Sequence, residues 1–191
     1  LLAPACGISC VGTPAAPSID AVATAEPERG NVHAVVKLVG SRGTLGDLTL
    51  APTGSPVWQL AHPVPIALDD GLRVTDAVLT SDTQRLTITG RVASHGPLDA
   101  TAQIDRVRLG PLLALLARPE VDGEASGQIR LAGTATAPRA DATITVAGLG
   151  MGDTRYGNLE LRTTIAERQA EVHAALHHPN AGELRVDGTI P

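Results

Sequence analysis

The stretch VDGEASGQIRLAGTATAPRADATITVA, residues 121–147, decides the fold class because it contains two one-faced strands joined by a turn. In its first half Ile129 and Leu131 alternate with polar side chains, and in its second half Ile144 and Val146 alternate with threonines. A period of two places the apolar side chains on one face of a strand and the polar ones on the other. The stretch therefore predicts a β-hairpin with one apolar face.

Gly133 and Pro138 mark the turn between the two halves. Glycine relaxes the backbone there and proline removes a donor from the hydrogen-bond ladder. The same alternation recurs on both sides of the stretch, and we predict about ten strands in all, mostly five to ten residues long. One dense apolar run departs from it, LGPLLALLAR at 109–118, where Pro111 suits the first turn of a helix. We predict a short helix or turn lying on the sheet there.

The composition is aliphatic, with no Phe, one Trp and one Tyr among 191 residues, and it includes 20 Gly. Aromatic rings normally supply much of the volume of a compact core. Their near absence favours a thin, extended β structure over a thick globule.

The fold class that we predict is all-β, an elongated curved antiparallel β-sheet that forms an open groove and carries one short helix. One-faced strands must cover their apolar side with a helix layer, a second sheet, a closed barrel or a ligand. A single short helix cannot supply a layer. A closed β-sandwich or barrel is the alternative, and an open groove would suit acyl chains, which need smooth aliphatic walls and no specific hydrogen bonds.

Composition divides the chain into three predicted segments. Residues 1–30 form a low-complexity lead-in rich in Ala and Pro. Residues 31–120 form a β-meander that ends in the short helix near 110–118, and residues 121–191 form the groove segment.

Cys6 and Cys10 lie in the lead-in and lack the second ligand pair of a zinc site. Their interpretation stays open between free thiols, a disulfide, a metal ligand pair and a lipoprotein cleavage site at Cys6. The chain begins with Leu1 and not with Met. We therefore expect a piece of a longer protein, with any signal or anchor outside it.

The charge argues against nucleic acid as a partner. The net charge is −5 and Lys37 is the single lysine, whereas phosphate binding requires clustered basic side chains. No apolar run approaches the roughly 18 residues that indicate a transmembrane helix.

The sequence contains only weak patterns for a metal site, a dinucleotide site or a catalytic site. His173, His177 and His178 lack a carboxylate or Cys at a known ligand spacing, so solvated histidines are expected. The run GLGMG at 148–152 lacks the later glycine, helix and acidic residue of a dinucleotide site, and we predict a flexible hairpin link. No Ser, His and acid set has a local signature. We expect no enzyme, no cofactor and no metal.

Four features follow one another between Trp58 and Pro191. They are a Trp and a Pro before a turn in WQLAHPVPIALDDGL, the Leu-rich link LGPLLALL, the unit G-x-x-x-G-x-hydrophobic-x-hydrophobic-x-G-T…P from Gly123 to Pro138, and a closing Gly-x-Leu…Gly-x-Ile-Pro. In this order they resemble the TamB branch of the AsmA-like envelope proteins, the translocation and assembly module family.

The resemblance implies an internal fragment of a long periplasmic protein that is anchored to the inner membrane through a segment outside this chain. In such proteins the strands coil into a groove that carries or shields phospholipid on its way to the outer membrane. The resemblance also implies an outer-membrane partner of the Omp85 type in the full-length protein, and kinship with bridge-like lipid-transfer proteins.

The expected function is therefore non-enzymatic lipid transport in cell-envelope biogenesis, with phospholipid acyl chains as the ligand. Two alternatives stay open, a scaffold that assists outer-membrane β-barrel assembly by strand addition and a structural β-solenoid or adhesin. The residues predicted to line the groove are Ile129, Leu131, Ile144, Val146, Leu159, Leu161, Ile165, Val172, Leu176, Leu184, Val186 and Ile190.

Overall fold

The structure is a computed structural model. It describes the backbone of residues 6–13, 16–24, 30–69, 71–93, 96–115, 121–166 and 169–190. Within these ranges it describes the side chains from residue 30 onward, except at 114 and 115. The state of the Cys6 and Cys10 thiols lies outside this description.

Strands make up almost all of the described chain, and one short helix interrupts them. The first seven strands are β1 Cys6–Thr13, β2 Ala16–Thr24, β3 Gly30–Val39, β4 Arg42–Pro52, β5 Trp58–Leu60, β6 Val64–Ala67 and β7 Gly71–Ser81. Two more strands and the helix follow as β8 Gln84–Ala93, β9 Pro97–Arg108 and α1 Leu109–Leu115. The last five strands are β10 Val121–Thr134, β11 Ala137–Met151, β12 Thr154–Ala166, β13 Gln169–His178 and β14 Gly182–Ile190.

The strands form one antiparallel sheet in which neighbours along the chain are neighbours in the sheet. The exception is β6, which lies beside β5 and pairs with β4 and β7. Strands β1 and β14 lie at opposite ends and do not pair with each other, so the described sheet is not closed into a barrel. The predicted all-β fold, an open antiparallel sheet with one short helix, is confirmed, and the closed alternative is not what the chain forms.

The sheet continues through all three predicted segments. Strand β2 of the first predicted segment pairs with β3 of the second. Strand β9 of the second segment pairs with β10 of the third. The Ala/Pro-rich lead-in thus contributes β1 and β2, which accounts for part of the difference between fourteen strands and the predicted ten.

The longest strands, β10 to β12, have 13 to 15 residues and exceed the predicted lengths. The prediction of a flexible link at 148–152 was wrong, since β11 continues to Met151 and only Gly152 and Asp153 turn the chain. Register shifts between Val146 and Gly150 absorb the glycines as β-bulges. The N–H of Gly148 donates to Asn158 Oδ1 at 3.1 Å, so the bulge keeps its hydrogen bonding.

A small core lies between the middle strands and the helix. Trp58 on β5, Leu79 on β7 and Val107 on β9 form its buried centre, and Leu112 of α1 packs against them. Trp58 is only 2% exposed. Here α1 adds a second layer to the sheet.

Helix α1 contacts two strands, β10 and β4. These two strands lie five positions apart in the sheet. Strands lie about 4.8 Å apart, so these two would be about 24 Å apart in a flat sheet. A helix of seven residues is only about 10 Å long, so the sheet curls toward it. Among the described residues, none of the helices has the length and apolarity needed to cross a membrane.

Candidate functional site: an open apolar face

The register of β10 to β14 aligns their apolar positions into four rows that run across the strands. In each row the residues on neighbouring strands lie directly opposite one another. The rows are Leu131, Ala140, Ile165, Ala170 and Ile190; Ile129, Ala142, Thr163, Val172 and Gly188; Gly127, Ile144, Leu161, Ala174 and Val186; and Ala125, Val146, Leu159, Leu176 and Leu184. We call this surface the apolar face.

All twelve residues that the sequence predicts to line a groove occupy these rows. Thr163 is the one position in the rows with a polar side chain. The structure therefore brings the predicted residues together on one continuous aliphatic surface, while their role toward a lipid stays a prediction.

Exposure of the apolar face is greatest on β14. Val146 on β11 is buried, at 6% exposed, whereas Leu184 and Ile190 on β14 are 60% and 61% exposed. Ile129 and Ile165 lie between these extremes. Large aliphatic side chains thus meet solvent over the last strands of the sheet.

The apolar face is uncovered on β12 to β14. Most of the buried apolar side chains lie between Trp58 and Val107, and the two beyond that range are Ala125 and Val146. No described side chain of β12, β13 or β14 is buried. Monomeric proteins seldom expose contiguous apolar patches of this extent unless the patch binds something.

The aliphatic rows continue beyond the residues that sequence reasoning selected. Ile129 lies opposite Ala102 on β9, which lies opposite Ile88 on β8. Ile88 is 37% exposed, and Leu72 and Val92 nearby are exposed as well. The same alternation along β7 and β8 could have identified them.

The opposite face of β12 to β14, which we call the polar face, carries charged side chains in cross-strand pairs. His173 Nδ1 lies 2.6 Å from Asp187 Oδ1, and His177 Nε2 lies 3.7 Å from Glu183 Oε2. Arg185 also pairs with Glu183, and its hydrogen bond holds the pKa of that carboxyl below its usual value. All of these side chains are substantially exposed, so the pairs contribute little stability.

A cavity of about 550 Å³ opens on the polar face and not on the apolar face. Its cause is Ala175, which lies opposite both Glu160 and Arg185 and leaves a depression between two long side chains. Charged residues of both signs line the depression. It is therefore a gap in a solvated charge ladder, lined mainly by polar and charged side chains.

In the described chain several histidines each lie near a single carboxylate. No three His, Cys, Asp or Glu side chains within it lie close enough to hold a metal ion. His173 and His177, weighed above as metal ligands, instead each face one carboxylate on β14.

The fold and the apolar face define an all-β protein whose one-sided sheet stays open. Compared with known proteins, the chain matches no protein-family model, no curated protein and no solved structure. Its relation to the TamB branch stays a prediction from the sequence motifs.

Proposed function

We propose that the apolar face binds the acyl chains of phospholipids and lets them pass along the sheet between two membranes. The observation that carries this proposal is the set of four aliphatic rows that cross β10 to β14, in which no described side chain on β12, β13 or β14 is buried. The resemblance to the TamB branch supports the same ligand. In this proposal the chain works in the periplasm, within a longer protein anchored to the inner membrane and paired with an Omp85-type partner.

The chemistry of the rows suits a ligand that moves. Aliphatic walls attract an acyl chain by the hydrophobic effect, which is non-directional, so the chain can slide without breaking specific hydrogen bonds. A single hydroxyl, that of Thr163, interrupts the rows. A charged headgroup would lose hydration on such a surface, so it is expected to stay in water at the rim.

The experiment is mass spectrometry of an organic extract of the chain, purified from cells without detergent. An unrelated β protein purified in parallel is the control. Phospholipid retained at a reproducible, near-stoichiometric level is the expected result. A folded monomer whose extract contains no more lipid than the control would contradict the proposal.

Binding and passage are separated by a second measurement. Vesicles with a fluorescent phospholipid serve as donor, unlabelled vesicles as acceptor, and the chain is added between them. A transfer rate that rises in proportion to the chain concentration is expected. Lipid binding without any transfer would limit the role of the face to shielding.

A further inference from the structure

A second cavity, of about 440 Å³, lies near the ends of β11, β12 and β13. Arg155, His177 and His178 line it together with glycines and apolar side chains, and none of its described lining residues carries a carboxylate. The ring of His177 lies near Glu183, so Arg155 and His178 are the basic groups left for a ligand. In contrast to the depression on the polar face, this cavity favours an anion.

The cavity adjoins the apolar face. Gly157 lies two residues before Leu159 on β12, and His178 lies two residues after Leu176 on β13. Positions two apart in a strand share a face, so these cavity residues lie beside the aliphatic row that contains Leu159 and Leu176. Leu149, which also lines the cavity, lies opposite Gly157. A ligand with an acyl chain on this row can therefore place its polar end in the cavity.

Both basic side chains have hydrogen-bond donors to spare. The Nη1 atom of Arg155 lies 3.4 Å from Asp122 Oδ2, and the guanidinium carries further N–H groups beyond that pair. The Nδ1 atom of His178 accepts the N–H of Asn180 at 3.1 Å, so the proton of the neutral ring lies on Nε2. Arginine often binds two phosphate oxygens at once, and an imidazole N–H adds another donor. Because both side chains line one cavity, they can donate to the same phosphate group.

We propose that this cavity binds the phosphate group of a phospholipid whose acyl chains lie on the adjoining rows. The inference rests on the proposed function, because it assigns the headgroup of the same ligand. Donors for an anion lie on one side of Leu159 and Leu176, and aliphatic side chains lie on the other, as an amphiphile requires. Since Arg155 is largely exposed, a phosphate held there also keeps contact with water.

Two lipids with identical acyl chains test the headgroup site. Phosphatidic acid carries a phosphate where diacylglycerol has a hydroxyl, and each is offered from a cyclodextrin carrier with a fluorescent label on one acyl chain. The chain is expected to bind phosphatidic acid about tenfold more tightly. The net charge of −5 would by itself favour the uncharged lipid. Equal affinities would overturn the headgroup site and leave the proposed function standing, since both lipids would then bind through their acyl chains.

A pair of matched double variants locates the site. Arg155→Gln with His178→Gln is expected to reduce the preference for phosphatidic acid to about twofold or less and to leave the affinity for diacylglycerol unchanged. Arg162→Gln with His173→Gln is the control, because it changes the same residue types on the same two strands but on the polar face. An equal loss of preference in both double variants would identify net charge as the cause and overturn the site.

Glycerol 3-phosphate tests the phosphate site without an acyl chain. In nuclear magnetic resonance spectra of the labelled chain, millimolar concentrations are expected to shift the amide signals of Gly148 and Gly157 and to leave Gly188, at the far end of β14, unchanged. These shifts without binding of either lipid would contradict the proposed function and assign the cavity to a soluble phosphate ester. No shift at Gly148 or Gly157 would overturn the phosphate site even if both lipids bind.

Discussion

Ile144 on β11 lies directly opposite Leu161 on β12, and neither side chain is buried. One residue earlier on β11, Thr143 lies opposite Arg162 on the other face of the sheet. Substitutions at the adjacent positions 144 and 143 therefore alter opposite faces, the apolar face at 144 and the polar face at 143. The paired positions provide matched variants that differ in the face they alter.

Ile144→Asp is expected to lower retained phospholipid and the transfer rate by about tenfold or more. A carboxylate in the middle of an aliphatic row loses hydration whenever an acyl chain covers it. Because Ile144 is only half-buried, the carboxylate keeps access to water in the lipid-free chain, so the fold is expected to persist. Lipid content by mass spectrometry and secondary structure by circular dichroism measure the two effects.

The control for this variant is Thr143→Asp, which places the same charge on the polar face opposite Arg162. Its lipid content is expected to match the wild type. An equal loss of lipid in both variants would point to net charge as the cause and would contradict a role of the apolar face.

Trp58→Ala is expected to lower the free energy of unfolding by about 3–5 kcal/mol, because it removes a buried ring from the small core beneath α1. Val57→Ala, at the exposed neighbouring position, is expected to change it by less than about 0.5 kcal/mol. Urea denaturation followed by circular dichroism gives both values. A loss of stability that is equal in the two variants would mean that the core is not centred on Trp58.

Gln84→Leu is expected to cost about 1–2 kcal/mol of unfolding free energy. The Oε1 atom of Gln84 accepts a hydrogen bond from the N–H of Arg108 at 2.7 Å, where β9 passes into α1. Leucine fills the space and leaves that donor without its partner. Gln103→Leu on the exposed face of β9 is the matched control, with an expected change within about 0.5 kcal/mol. Equal costs for the two variants in urea denaturation would exclude this hydrogen bond as the cause.

Gly127→Ala is expected to destabilise the sheet by about 1–3 kcal/mol. Gly127 has a φ of +156°, and a Cβ there would lie 2.1 Å from the carbonyl oxygen of Thr143 on β11. Two neighbouring strands would have to move apart to admit it. A thermal or urea midpoint equal to that of the wild type would contradict this close approach.

Gly188→Ala provides the control for Gly127→Ala on the same apolar face. No atom lies within 4 Å of a Cβ built at Gly188, so the change in unfolding free energy is expected to stay within about 0.5 kcal/mol. A large cost at Gly188 would show that any alanine in a glycine position of this sheet is harmful, whatever the local space.

Strand type and face were predictable from single residues and their spacing. Leu159, Leu161 and Ile165 alternate with Glu160 and Arg162. Side chains of a strand point to alternate faces, so this order assigns each residue to a face before any partner strand is known. For the same reason all twelve candidate residues lie on one surface.

Strand ends and bulges were harder to predict. The glycines at 148 and 150 have the composition of a link, yet β11 continues through them because the N–H of Gly148 finds Asn158 on β12. The lead-in has the composition of a linker, yet β2 pairs with β3. In both places the adjacent strand supplies the hydrogen bonds, and the composition of the segment itself carries no information about that pairing.

The sequence by itself determined that this protein is a one-sided, aliphatic, all-β chain, since alternation and the near absence of aromatic residues follow from the order of residues alone. Only the tertiary structure decided which part of the apolar side is covered. Helix α1 and Trp58 cover the middle strands, while the ends of the rows on β14, at Leu184 and Ile190, stay exposed. Burial depends on what lies above a face, and that is set by sheet curvature and by contacts between distant segments.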